Sequence, residues 1–477
     1  MANLHVTNLT GKPLSVSCSS EIANVEHGEK AIIVSVSQAT RSTLQLRAHE
    51  HYALGDEKAL PLGSVDMSFW DFVVRKSRMS GGKHSWAAVH PQCQHRSYSC
   101  ARTRPVKHCQ ICAANFPWTV YALHTRTEYH MVFLRTRDMS SFLSELGDQV
   151  PLSDVVLPGT HDSLAFYGWP VTQCQSPDQP LLQQLYSGIR VLDVRLSVVD
   201  GVLMAYHGSS PQHASFSAIL HALHKFLQDR PSECLIVSLK QEDFTTTPWW
   251  VFSRCVREEI ERGAGGWGMW WLENRIPILG EVRGRCVMLS RFGGEGQGWD
   301  RGLEGMGIHP TTWPDSERDG FQWNLKGTTV RTHDWYRISS LLDLPEKAAL
   351  CAQNLVPDLT DPPTLSITYL SASGGPLALP PFCALGFGWP RWGLGVEGMN
   401  ARVGGWLLNR IASSSQSAKQ EKDRWSVHSG GSDARLLGIH ADDEPKRPVR
   451  GWVFMDYFAE PDGGLVSLLV ENNFIGR

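Results

Sequence analysis

The sequence predicts an α/β chain, a closed (β/α)8 barrel of the TIM type preceded by a small β-sandwich-like domain. Three observations carry that expectation. From about residue 140 onward, short apolar β-like runs alternate with helical or loop segments, and eight such runs can be counted. Residues 1 to about 75 read differently, as short, partly alternating stretches separated by Gly and Lys. The length, 477 residues, accommodates a barrel and one further domain.

In the first domain, residues 1–138, the strand candidates are 4–9, 14–18, 31–36 and 43–48, with 118–123 and 128–134 completing the sheet. Between them, residues 76–116 are basic, rich in His and Cys, and lack periodicity, as expected of an irregular insertion. In the second domain, residues 139–477, the expected barrel strands are 155–157, 191–196, 203–206, 234–239, 286–290, 328–332, 365–370 and 452–455. A helix follows the third, because Phe216, Ile219, Leu220, Leu223, Phe226 and Leu227 recur at helical spacing and Pro231 ends the run. Residues 411–449 are rich in Ser, Lys, Asp and Gly and read as a mobile insertion before the last strand.

Composition narrows the function classes. The formal net charge is −3, so the chain lacks the basic footprint of a nucleic-acid binder. Hydrophobic residues make up 42% and charged residues 19%, which excludes global disorder. No apolar run approaches the roughly 18 residues needed to span a bilayer. The first residues show no basic region followed by an apolar one, so no secretory signal is expected and a cytoplasmic or peripheral membrane location is favoured. Eleven cysteines are an odd count, against a fully paired disulfide framework. Cys93, Cys100, Cys109 and Cys112 contain a single CxxC, which leaves a zinc site, a disulfide or an unstructured segment open. Asn8-Leu9-Thr10 matches a glycosylation sequon, expected to be unused.

Barrel function gathers at the C-terminal ends of the strands. The first strand runs into Pro158-Gly159-Thr160-His161-Asp162-Ser163. The second carries Asp193 and Arg195, which period two points the same way. Later strands end in His207-Gly208, in Lys240-Gln241-Glu242-Asp243, in Arg291, in His333-Asp334-Trp335-Tyr336, in Ser371 and Ser373, and in Asp456-Tyr457. A purely structural barrel has no reason to gather so much desolvated charge at one mouth. Two histidines with acids and arginines suit phosphodiester chemistry: one His as general base, the other as general acid, and an Arg fork on the phosphate.

The segments PLSDVVLPGTHDSL, QQLYSGIRVLDVRLSVVDGVLMAYHG and RPSECLIVSLKQE, followed by GRCVMLSRF, WPDS, VRTHDWY, ITYLSASGG and RGWVFMDYFAE, are similar to the X domain of bacterial-type phosphatidylinositol-specific phospholipase C. They cover most of 141–477, in order. The resemblance implies that His161 is the general base toward the inositol 2-hydroxyl and that Asp456 orients it. His207, paired with Asp162, is implied as the general acid. Arg195 is implied on the phosphate with Asp193 fixing it, Lys240, Arg291 and Asp334 on the inositol hydroxyls, and Tyr336 stacked on the ring. The calcium-dependent eukaryotic enzymes of this superfamily carry a carboxylate where Arg195 stands. A guanidinium already supplies the positive charge, so neither metal nor cofactor is expected.

The implied partners are an inositol phospholipid and, peripherally, a membrane surface. Trp169, Trp249, Trp250 and Trp389 follow strand ends and are candidates for the bilayer interface or for loop packing. Two other readings stay open. One is a related barrel phosphodiesterase acting on a glycerophosphodiester or sphingolipid. The other is a non-catalytic lipid- or glycan-binding module.

Overall fold

The computed structural model describes residues 2–11, 13–18, 21–25, 28–36, 43–51, 57–66, 85–89, 118–124, 129–168, 172–293, 306–357, 363–375, 377–388, 395–412, 448–460 and 464–475. The cysteine-rich stretch from Cys93 to Cys112 and most of the expected insertion at 411–449 lie outside them. The chain divides into two compact units. One comprises Met1–Arg137 with Gly388–Gly395 and Gly404–Lys446, and the other Asp138–Phe387 with Val396–Val403 and Arg447–Arg477.

The first unit is all β among its described residues up to 137. Its strands are β1 (Ala2–Leu9), β2 (Leu14–Cys18), β3 (Glu21–Val25), β4 (Lys30–Val36), β5 (Thr43–His51), β6 (Glu57–Asp66), β7 (Ser85–Val89), β8 (Trp118–His124) and β9 (Tyr129–Arg135). They form two sheets, ordered β4-β1-β9-β8-β7 and β3-β2-β5-β6. Asn8 of the sequon is buried, its amide donating to Val25 O at 2.6 Å and its oxygen accepting from the Thr10 hydroxyl at 2.7 Å. The side chain is therefore engaged inside the unit rather than presented for modification.

The second unit is a curled, TIM-barrel-like sheet. It contains β10 (Val156–Thr160), β11 (Val191–Val199), β12 (Val202–His207), β13 (Ser210–Ser215), β14 (Leu235–Gln241), β15 (Trp270–Trp271), β16 (Cys286–Arg291), β17 (Phe321–Leu325), β18 (Thr328–His333), β19 (Thr364–Tyr369) and, after two short strands β20 (Gly386–Phe387) and β21 (Val396–Glu397), β22 (Gly451–Met455). Seven strands run parallel in the order β16-β14-β11-β10-β22-β19-β18. β15 extends the β16 edge in parallel, and β17 lies antiparallel on β18. Strands such as β10, β16 and β22 are buried at every residue, which is why they read as unbroken apolar runs rather than alternating ones.

The helix expected after the third run is present at Phe216–Asp229, and all six apolar positions that predict it are buried. Ser215 caps it, its hydroxyl accepting from Ala218 N at 3.2 Å.

One expected barrel strand is different. The 203–206 run belongs to β12, which pairs antiparallel with β11 and not as a parallel stave. The reason is local. Val199 pairs with Val202, so only Asp200 and Gly201 form the loop, and both have positive φ, 50° and 78°. Asp-Gly at such a two-residue turn folds a hairpin. β12 therefore runs back along β11.

Candidate active site

The strand ends of the curled sheet surround a cavity of about 670 Å³. His161, Arg195, His207, Lys240, Arg291, Asp334, Tyr336 and Asp456 line it. Asp162 and Asp193 sit behind this lining, against Arg195. All ten residues expected from sequence for catalysis and headgroup binding are thus brought to one place.

Backbone geometry explains the Pro-Gly-Thr-His-Asp-Ser segment. A Cβ at Gly159 would lie 2.7 Å from Val191 Cβ and 2.7 Å from its carbonyl oxygen, so only glycine lets β10 approach β11 this closely. Asp162 then takes φ 45°, in the left-handed region. This sharp turn directly after the strand sends His161 and Asp162 to the same mouth. Tyr457 repeats the device with φ 47° immediately after Asp456, at the end of neighbouring β22.

His161 is held on both nitrogens. Nδ1 lies 2.8 Å from Asp456 Oδ1, and Nε2 lies 2.7 Å from Arg195 Nη2. A guanidinium has donors only, so Nε2 must accept. Nδ1 then carries the hydrogen and donates to Asp456. Burial, reinforced by the adjacent Arg195 charge, pushes the His161 imidazole well below its ordinary pKa. It is a neutral ring with its lone pair turned toward the Arg195 guanidinium.

His207 has the opposite polarity. Nδ1 faces Thr172 O at 2.7 Å, and Nε2 faces Asp162 Oδ2 at 3.3 Å. Both nitrogens meet acceptors, an arrangement that suits the imidazolium. Its position follows from the hairpin: with Leu196 opposite Ala205, the returning strand carries His207 back to the level of the β11 residues at the mouth.

Between the two rings, Arg195 donates from Nε and Nη2 to Asp193 Oδ2 at 3.0 and 2.9 Å, while Nη1 lies 3.0 Å from Asp162 Oδ2. Burial opposes ionisation of Asp193, yet Arg195 and Arg291 hold its carboxyl below the usual carboxylate range. Burial pushes Asp162 the other way, up to about 6, against the pull of Arg195 and His207. The two carboxylates that flank one guanidinium therefore differ in proton affinity.

The rest of the lining forms a second half. Lys240 pairs with Glu242 at 2.8 Å, and Glu242 also approaches Arg195 at 3.5 Å. Arg291 donates to the Tyr369 hydroxyl at 3.1 Å and stacks 3.8 Å over the Trp313 ring. Trp313 in turn donates to Asp334 at 2.9 Å. Tyr336 donates to Asp315 at 2.6 Å, at the exposed rim.

Of the four candidate interfacial tryptophans, Trp169 and Trp389 lie outside the described residues. Trp249 lines the cavity edge, and Trp250 packs edge-on against it, centroids 5.7 Å apart. Trp250 is 57% exposed and nearby Phe244 is 69% exposed, both beyond the mouth end of β14. No helix among the described residues is long and apolar enough to cross a membrane.

Four contributors were not singled out from sequence as site residues. Trp313 carries a signal in the WPDS segment. Tyr369, edge-on to His161 at 6.1 Å, is hidden inside an apolar run. Gln175 fixes the chain behind the site, donating to His161 O at 2.8 Å and Met455 O at 2.9 Å. Buried Cys174 lines the cavity 3.9 Å from His207 Nδ1, and no sequence signal marks it. His161, Cys174 and Asp456, or Asp162, Cys174 and His207, come close enough together to hold a metal ion. In this arrangement both His161 nitrogens are already engaged, and burial keeps the Cys174 thiol protonated well above its ordinary range.

Residues 164–247 match the family described as phosphatidylinositol-specific phospholipase C, X domain. A 1-phosphatidylinositol phosphodiesterase of Listeria monocytogenes is 31% identical over 161 residues, 31% of this chain and 48% of that protein. One from Staphylococcus aureus is 24% identical over 254 residues, 50% of this chain and 78% of that protein. The chain thus spans about half the length of the Listeria relative. Among solved structures, the phosphatidylinositol-specific phospholipase C from Listeria monocytogenes is 20% identical with a TM-score of 0.47, covering 70% of this chain and 99% of that one. A variant of the Staphylococcus aureus protein is 20% identical with a TM-score of 0.48, covering 70% and 98%. The family match and the curated relatives support the bacterial-type family read from the sequence.

Proposed function

We propose that this chain is a phosphodiesterase of the phosphatidylinositol-specific phospholipase C type. It cleaves phosphatidylinositol-type lipids to diacylglycerol and inositol 1,2-cyclic phosphate. The observation that carries this reading is the opposite hydrogen-bond polarity of two imidazoles on either side of one guanidinium.

The incoming phosphate takes the guanidinium N–H groups of Arg195, releasing Nε2 of His161. That nitrogen removes the proton of the inositol 2-hydroxyl, and its oxygen attacks phosphorus. Asp456 stabilises the imidazolium that forms. The bond from phosphorus to the diacylglycerol oxygen breaks, and His207 protonates that oxygen from Nε2. Arg195 offsets charge growing on the phosphate oxygens. Because the nucleophile belongs to the substrate, the attack has a large effective molarity. Lys240, Arg291 and Asp334 hold the ring hydroxyls, and Tyr336 covers the ring face. The chain's own groups supply every proton transfer and charge in this scheme, so turnover is expected in excess chelator.

The test is turnover of phosphatidylinositol vesicles in excess chelator by the wild type, His161→Ala and His207→Ala. Wild-type activity with losses of about 10²–10⁴-fold in each variant supports the reading. Wild-type turnover that vanishes in chelator and returns with a divalent ion contradicts it. Variants with unchanged turnover contradict it as well.

A further inference from the structure

Lys347 is fully buried, yet none of the catalytic steps uses it. It lies on the helix Leu344–Asn354, which packs against β18 and β19. Its Nζ donates to Trp335 O at 2.6 Å and to Tyr369 O at 3.0 Å. The paired register of β18 and β19 ends at His333 opposite Thr368. Both carbonyls therefore lie just beyond the last rung of the ladder, in the interval before the two segments pair again through Ser373 N to Tyr336 O at 2.8 Å and Ile338 N to Ser373 O at 3.0 Å. Lys347 bridges that interval.

What it ties together is the ring-binding half of the site. Trp335 sits between Asp334 and Tyr336 in the chain, and its indole nitrogen donates to Arg337 O at 3.0 Å. Tyr369 accepts from Arg291, stacks on Phe454 at 4.2 Å and meets His161 edge-on. No carboxylate makes a salt bridge with Lys347 among the described residues. A buried ammonium is costly, and an apolar side chain of similar shape would fill the space more cheaply. Packing alone does not explain a lysine here.

We infer that Lys347 is a positioning residue for headgroup binding, clamping the Asp334–Tyr336 segment to Tyr369 at the fixed separation the inositol ring requires. The inference rests on the function proposed above. The titratable groups facing the ammonium are Cys351 on its own helix, His333 and Asp334 at the end of β18, Cys383 from the helix Pro380–Leu385, and Asp456 at the end of β22. Burial raises both Asp334 and Asp456, and the Lys347 charge opposes that rise in each. The same group thus limits the rise of both carboxyls, one facing the headgroup pocket and the other the partner of His161.

The experiment uses the full chain as wild type, Lys347→Met and Lys347→Arg. It combines steady-state kinetics on phosphatidylinositol micelles with hydrogen exchange of the backbone. In Lys347→Met, KM rises about tenfold while kcat falls less than about threefold, since small displacements of positioning groups have effects of this order. Exchange rises at 334–337 and stays unchanged at 161–163. Lys347→Arg recovers part of each change. Unchanged KM and unchanged exchange at 334–337 overturn the inference. So does an equal loosening of the whole barrel in both variants. If Lys347→Met does not fold, Lys347→Arg against wild type carries the test, with the same segment-specific change expected at smaller size. A wild type without turnover defeats the proposed function alone, because the exchange pattern still decides the role of Lys347.

Discussion

Arg190 and Arg195 lie five residues apart around one strand, at opposite ends of the sheet, and they are buried in different ways. Arg190, just before β11, is wholly enclosed. It donates to Glu233 at 2.7 and 2.9 Å and to the carbonyls of Leu185, Ile189, Met139 and Ser140. Its fork is saturated by fixed protein oxygens. Arg195 opens onto the cavity and contacts ionisable groups: Asp193, Asp162, Glu242 and His161. Residues of one type, on one strand, are thus a fastener at the closed end and a charged tool at the open end. Burial alone does not identify a functional charge. A face left toward a cavity does, since Arg190 too pairs with an ionisable group, Glu233.

Replacing each arginine by lysine breaks the two roles apart. Lysine keeps the charge but not the planar fork. Arg195→Lys lowers kcat on phosphatidylinositol by about 10²–10³-fold with little change in thermal midpoint. Arg190→Lys does the reverse: it destabilises the fold by about 3 kcal/mol in denaturant titrations, while kcat of the folded fraction stays near wild type. If Arg190→Lys instead lowers kcat as deeply as Arg195→Lys, the comparison fails.

Asp162 sharpens the account of the open end. Its carboxyl is raised to about 6, so the charged form is present above that pH and is lost as pH falls through it. Protonated, it no longer meets Arg195 or His207 Nε2 as an anion. Wild-type kcat/KM therefore falls below about pH 6, roughly tenfold per unit at the limit. Asp162→Asn lies low throughout and lacks that limb. An unchanged limb in Asp162→Asn would assign the titration to another group. The smallest effect concerns the rim. Trp250→Ala weakens vesicle binding by a few-fold to about tenfold, for loss of one interfacial aromatic, and spares a soluble short-chain substrate. Equal losses on both substrates would give Trp250 a packing role.

Most of the barrel was legible because its strands are buried on both faces and read as continuous apolar runs. The exception, residues 203–206, shows the limit. A short apolar run has the same composition in a parallel stave and in a hairpin arm, and here Asp200-Gly201 decided between them. The ionisable residues of the site could be read because each lies within a strand or just after one. Tyr369 and Lys347 could not, because they reach the site through an apolar run and a helix packed behind it. The opposite polarity of His161 and His207 was also beyond sequence, since it depends on Thr172 O and Asp456, which only the folded chain brings to the rings.

The central claim is that His161 and His207 divide base and acid work around Arg195 in an attack by the substrate's own hydroxyl. Phosphorus NMR of phosphatidylinositol turnover in excess chelator tests it most directly. A cyclic phosphodiester resonance that appears first, with any inositol monophosphate growing in later at its expense, is the predicted result. Direct formation of inositol monophosphate with no cyclic species at any time would contradict the account.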